Sequence, residues 1–176
     1  NKVKTMKALD VAKYFLFLAR SKEAGDTLSN LKIQKMLYYA QGYMLAIFEK
    51  PLFDDRIEAW KHGPVIRTVY EQFKKYGSNS ISFDELEDFD TDCIADNKDA
   101  HELLVLIFDK YGSMGAWELR EKTHEEYPWK SSYVASLGNE ITQDAIATFF
   151  KEENKKEALR LKELQKNDME INELWP

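Results

Sequence analysis

The chain has 176 residues, a net charge of −6, 44% apolar and 32% charged residues, and a single cysteine, Cys93. Such a chain is the size of one ordinary domain with enough apolar side chains for a sizeable core, which argues against disorder and against a membrane protein. Its acidic balance makes nucleic acid an unlikely partner, because gripping phosphate backbones takes a basic surface. A lone cysteine permits neither an internal disulfide nor a zinc site built on cysteine pairs, and it fits a reducing cytoplasm. No apolar run approaches the ~20 residues of a membrane span. The polar, basic stretch from Asn1 to Lys7 does not read as a secretory signal, so the expected location is cytoplasmic.

In chain order, a first helix is predicted over residues 10–23, with Asp10 as N-cap and Val11, Phe15 and Leu18 as its stripe. A second is predicted over 30–49. Ile33, Leu37, Ala40, Met44 and Ile47 recur at helical spacing, as do Leu31, Tyr38, Leu45 and Phe48. Together they cover well over half the circumference, the pattern of a central, buried helix. Gly42 costs about 1 kcal/mol against Ala in a helix interior, and its presence predicts close approach of another backbone. After Pro51 the helical period stops. Ile57 and Ala59 alternate with polar residues, and Ile81-Ser82-Phe83 is a second short apolar run. These predict a minor two- or three-stranded β element near residues 52–60 and 81–83.

Lys61-His62-Gly63-Pro64 reads as a turn, with Pro64 at the first position of a third helix. That helix carries Val65, Val69, Phe73 and Tyr76 on one face, pairs Arg67 with Glu71, and stops at Gly77. The acidic stretch 84–92 reads as an exposed loop or short helix. A fourth helix over 99–111 buries Leu103, Leu104, Ile107 and Phe108. A fifth over 116–125 is anchored by Trp117 and Leu119. A sixth, capped by Thr142, buries Ala145, Ile146, Phe149 and Phe150. From Lys151 charge dominates, with a thin stripe of Ala158, Leu159, Leu161 and Leu164. The fold class is therefore mainly α: a compact multi-helix single domain over 1–150, with a charged helical extension over 151–176.

Little in the chain is wired for chemistry. His62 can be read as a general base beside Asp54, Asp55 or Glu58, which would make the protein a hydrolase. It can also be read as a histidine that bonds the turn and the next helix. The second reading is favoured, because no serine or cysteine nucleophile stands in an elbow. His101-Glu102 and His124-Glu125-Glu126 resemble fragments of a zinc motif, but the position four residues after each histidine is Val105 or Pro128. Cys93 stands among Asp90, Asp92 and Asp96, which would raise its thiol pKa and disfavour a nucleophilic thiolate. No catalytic set, metal site or cofactor is predicted. The residues suit binding another protein better. Tyr38 and Trp117 read as core, while Tyr39 shares a helix side with Lys32 and Lys35 that is expected to meet solvent. Lys32, Lys35, Tyr39, Trp60, Lys61 and His62 form the candidate binding set.

Four ordered motifs carry a family resemblance. The first is Asn30-Leu31-Lys32-Ile33-Gln34-Lys35-Met36-Leu37-Tyr38-Tyr39-Ala40-Gln41-Gly42. The second is Pro51-Leu52-Phe53-Asp54 leading to Ile57-Glu58-Ala59-Trp60-Lys61-His62-Gly63-Pro64-Val65. The third is Val69-Tyr70 with Phe73-Lys74-Lys75-Tyr76-Gly77. The last runs from Trp117-Glu118-Leu119-Arg120 through Thr123-His124 to Pro128-Trp129. Together they resemble the signature of the Panacea domain, the SocA-like antitoxin and phage-associated protein family. Gly115 stands where the family often has a serine, which weakens a helix cap. The resemblance implies a mostly helical bacterial or phage protein that neutralises a cognate toxin by direct contact. It also leaves open an adaptor that delivers its toxin to a ClpXP-type protease, and it supplies no catalytic residues.

Overall fold

A computed structural model describes residues 6–23 and 28–156. The elements in chain order are α1 (Ala8–Ser21), α2 (Asn30–Phe48), β1 (Glu58–Trp60), β2 (Gly63–Val65), α3 (Arg67–Phe73), α4 (Asp92–Ala95), α5 (Lys98–Tyr111), α6 (Ala116–Glu125) and α7 (Tyr127–Ser132). A last helix, α8, covers residues 143–156. The mainly helical architecture with a small β element is as the sequence predicts. Of the expected extension, residues 157–176, including the stripe from Ala158 to Leu164, lie outside the described residues.

Everything is arranged around α2, which touches α1, α3, α5, α6 and β2. Its apolar stripes are buried as expected over residues 33–45, with Leu31, Ala46 and Phe48 at its ends partly buried and Ile47 half exposed. Its polar side chains are buried too, and each is spent on backbone that would otherwise lack a partner. Gln41 accepts from the Leu52 N–H at 2.8 Å and donates to the Phe53 carbonyl at 2.8 Å. Gln34 accepts from the Ile66 N–H at 2.9 Å and donates to Asn30 Oδ1 at 3.0 Å. Asn30 in turn donates to the Tyr70 carbonyl at 3.2 Å. Asn30, Gln34 and Gln41 recur at i, i+4 and i+11, one helical face, so α2 holds the irregular 52–66 segment much as a strand edge would.

Those contacts explain where the secondary structure departs from expectation. Pro64 does not open a helix. It sits in β2, which pairs antiparallel with β1 in the register Glu58↔Val65, Ala59↔Pro64 and Trp60↔Gly63. The chain stays extended through Ile66, whose N–H is held by Gln34, and α3 begins only at Arg67. The other edge of β1 meets residues 139–141, through Ala59 N–H to Asn139 O at 2.7 Å and Ile141 N–H to Ile57 O at 2.8 Å. Residues 81–83 do not join this element. Ser80 bridges Ser29 instead, and a 3₁₀ turn follows at Phe83–Leu86.

Helix ends show the same long-range control. Asp10 is not the N-cap of α1. Asp55 accepts from the Ala8 N–H at 2.9 Å, so the helix starts two residues earlier and Asp10 lies in its first turn. Arg67 pairs with Glu58 at 3.0 Å rather than with Glu71, whose carboxylate meets Lys74. The acidic stretch is pinned by buried Leu86, and Ile94 in α4 is buried just beyond it. Glu85 accepts from Gln72 and Tyr76.

α8 starts on Thr142, whose hydroxyl accepts from the Ala145 N–H at 3.2 Å. It lays Ile146 and Phe150 into the core. The Phe150 ring lies over Gly42: a Cβ there would come within 2.3 Å of two ring carbons. The close approach that Gly42 permits is therefore by an aromatic side chain rather than by another backbone.

Candidate functional site

The two residues between β1 and β2, Lys61 and His62, project from the hairpin and are exposed. The hairpin can be this tight only because Gly63 has φ +103°, and a Cβ there would lie 2.7 Å from Lys35 Cε and 2.8 Å from Thr123 Oγ1. From behind, the hairpin is fixed by Trp129, whose indole N–H donates to the Trp60 carbonyl at 2.8 Å. Trp129 itself stacks between His124, at 3.9 Å, and Tyr133, at 4.7 Å.

α6 supplies the neighbouring wall. Leu119 and Thr123 face inward, and Trp117 and Arg120 face the hairpin. Trp117 is 59% exposed, which corrects its expected place in the core. The Arg120 guanidinium lies 4.3 Å from the Trp117 ring centroid, a cation–π contact. Its Nε–H donates to His62 Nδ1 at 3.0 Å, and the His62 and Trp117 rings lie 5.9 Å apart. Arg120 also pairs with Glu121. Gly115, at the N-cap of α6, can offer no side-chain acceptor, but Glu118 reaches back to its N–H at 3.3 Å, half of a capping box.

On its other side the hairpin opens into a groove of ≈ 380 Å³ between α2 and α3. Leu31, Val65, Trp60 and Tyr70 provide apolar wall, with Lys61, His62 and Lys74 among the remaining lining residues. Trp60 and Tyr70 meet edge to face, with centroids 4.9 Å apart.

Three of the six candidate binding residues, Trp60, Lys61 and His62, are thus brought together. Lys35 joins them from beneath, and the expectation that it meets solvent is corrected: it is 0% exposed. Its ammonium donates to the Pro64 carbonyl at 3.1 Å. Burial, with the nearby Arg120 cation, brings its pKa down to about 7. Tyr39 is also fully buried. It donates to Glu126 at 3.0 Å and stacks on Tyr111 at 4.3 Å. Burial first, then the Glu126 carboxylate, drives its pKa up, and burial raises Glu126 itself. Lys32 is likewise buried, donating to the Gly112 carbonyl just past the C-terminus of α5. Lys32 and Tyr39 are internal fasteners, not surface contacts. Sequence reading missed Trp117, Arg120 and Lys74. Trp117 was missed because a tryptophan beside Leu119 on a short helix looks like an anchor.

His62 is not held as a carboxylate-oriented base. A histidine base is oriented by donating from Nδ1 to a carboxylate, whereas His62 Nδ1 accepts from an arginine. Burial, then Arg120, Lys61 and Lys35, lowers the His62 pKa. Glu58 is engaged by Arg67 and by the Trp60 indole. His101 bonds Tyr14 at 2.7 Å, and among the described residues no group of three or more His, Cys, Asp or Glu is placed to hold a metal ion. Burial, then Asp10, Asp90 and Asp92, raises the Cys93 thiol, the direction its neighbours predict. No described helix is long and apolar enough to cross a membrane.

A family model described as "Antitoxin SocA-like, Panacea domain" matches residues 33–130. These residues take in most of α2, the hairpin, α3 and α6, and so most of the surface just described. Antitoxin SocA of Caulobacter vibrioides (strain NA1000 / CB15N) is 39% identical over 66 residues, which is 38% of this chain and 35% of that protein. The match thus spans about a third of the length of that relative. No solved structure matches. With more than half of its length covered by the family model, the chain belongs to the SocA-like antitoxin family of Panacea-domain proteins.

Proposed function

We propose that this chain is an antitoxin that neutralises a cognate toxin protein by direct contact, and that the hairpin and the outer face of α6 form the contact surface. The observation that carries the reading is the family match across the residues that build this surface. Its chemistry supports the reading. An exposed tryptophan and an arginine stacked on it are the residue types that dominate binding energy at protein interfaces. Arg120 is held in place by Trp117 and His62 before any partner arrives, which lowers the entropy cost of docking.

The test is growth on co-expression with the protein encoded beside this chain, followed by a pull-down from the same cells. Rescue with a stable complex is the expected result. A harmless neighbour and no complex would sink the reading. Toxin abundance in the same cells separates sequestration, where the toxin persists in the complex, from delivery to a ClpXP-type protease, where it disappears. Within this surface, Trp117→Ala should weaken the complex by roughly 2 kcal/mol or more, about thirtyfold, without lowering the melting temperature, since the ring is mostly solvated. Isothermal titration against the purified partner reads the affinity. An unchanged dissociation constant would move the contact surface elsewhere on the molecule.

A further inference from the structure

The groove beside the hairpin has a chemistry of its own. Its twelve lining residues include Lys35, Lys61, Lys74 and His62 but no aspartate or glutamate, on a chain whose net charge is −6. The amide groups on its floor are already used: Gln34 is bonded to Ile66 and Asn30, and Asn30 to Tyr70. What the groove still offers a ligand is apolar wall and positive charge. We propose that it binds a short acidic segment of a partner protein, with an apolar side chain lodged against Trp60 and Tyr70 and a carboxylate met by Lys61 and Lys74 at the rim.

Several observations support this occupant. A groove of ≈ 380 Å³ takes one or two side chains rather than a folded surface. Lys74 holds Glu71 in an exposed ion pair between helix neighbours, and such pairs contribute little and are readily exchanged for a better-placed anion. His62 links the groove to Arg120 and Trp117, so a segment seated here would run on across the aromatic face of α6. Lys35 is buried and spent on the Pro64 carbonyl, and the two exposed lysines, Lys61 and Lys74, are too few to track a nucleic-acid backbone on an acidic chain, whereas an acidic peptide meets them without that length of basic surface. The choice of a protein segment rests on the antitoxin reading, in which the partner is a protein.

The experiment uses the full chain and an array of short random peptides, each synthesised with a free and with an amidated C-terminus. Hits are re-measured by fluorescence anisotropy. Bound peptides should place Asp, Glu or the terminal carboxylate next to an aromatic or aliphatic residue. Binding that survives amidation assigns the anion to a side chain, and binding lost on amidation assigns it to the chain terminus; both support the proposal. The double charge reversal Lys61→Glu with Lys74→Glu should reduce affinity at least about tenfold. Lys98→Glu, on the exposed face of α5, should leave it unchanged. Both variants should melt like the parent. No acidic enrichment, no bound peptide, or hits indifferent to the double reversal would each overturn the proposal. The toxin is not a reagent in this assay, so growth rescue with an empty groove would refute the groove alone. Acidic-peptide binding without rescue would refute the antitoxin reading alone.

Discussion

Gly42→Ala should destabilise the protein, although alanine is the better helix former by about 1 kcal/mol. The new methyl would meet the Phe150 ring at 2.3 Å, with a third ring carbon at 2.7 Å. That ring cannot slide away without disturbing its edge-to-face contacts with Tyr38, at 5.4 Å, and Tyr39, at 5.9 Å. Overpacking of this kind costs about 1–3 kcal/mol, and displacing the ring altogether approaches the ~3–5 kcal/mol of Phe150→Ala. A net loss of roughly 2 kcal/mol is expected, which for a chain of this length lowers the melting temperature by about 4–8 °C. Gly42→Ala combined with Phe150→Leu should recover part of the loss relative to the sum of the two single variants, because the smaller side chain makes room for the methyl. Thermal melts of the four proteins check this. An alanine variant as stable as the parent would mean that α8 does not pack on α2 through this pair.

Lys35→Met should change how stability depends on pH. In the folded chain the Lys35 pKa is about 7, against an ordinary 10.5 when the chain unfolds. Between those values the unfolded chain binds more protons than the folded one, so this group makes stability rise with pH, by at most ~1.4 kcal/mol per unit. Below about 7 both states are charged, and the cost of burying the ammonium is present in full. Methionine has a similar shape and no charge, so it removes that cost. It also strips the Pro64 carbonyl of its donor, a loss of about 1–3 kcal/mol at every pH. The variant should therefore be the more stable protein near pH 6 and the less stable one near pH 10, with the curves crossing between. Denaturant midpoints of both proteins across that range decide the matter. A difference that does not vary with pH would show that Lys35 stays charged in the fold.

Much of the architecture could be read from periodicity and punctuation. The two apolar stripes of α2 marked it as central because a helix apolar on most of its circumference has to be surrounded. Thr142 marked the start of α8, and the spacing of Leu103, Leu104, Ile107 and Phe108 marked the inner face of α5. The ordered motifs from Asn30 to Trp129 identified the family before any geometry was known. Within the surface, Trp60, Lys61 and His62 were already neighbours in sequence, and a turn after a short extended run exposes its tip.

Tertiary structure decided the remainder, because polar groups choose partners far away along the chain. Periodicity counts apolar faces, but it cannot say that the polar face of α2 is also inside. Gln34, Lys35 and Gln41 are buried because the 52–66 segment brings them carbonyls and N–H groups to bond, and Asn30 because it meets Gln34 and the Tyr70 carbonyl. The start of α1 depends on Asp55 and the length of β2 on Gln34, contacts that local propensity does not contain. Trp117 reversed its expected role for the same reason: Leu119 and Thr123 fill the inner face of α6, and the indole is left outside beside Arg120. The sequence alone determined a helical Panacea-type domain with one central helix. Which of its aromatic and basic residues stay exposed was decided only when distant segments closed around that helix and used up the others.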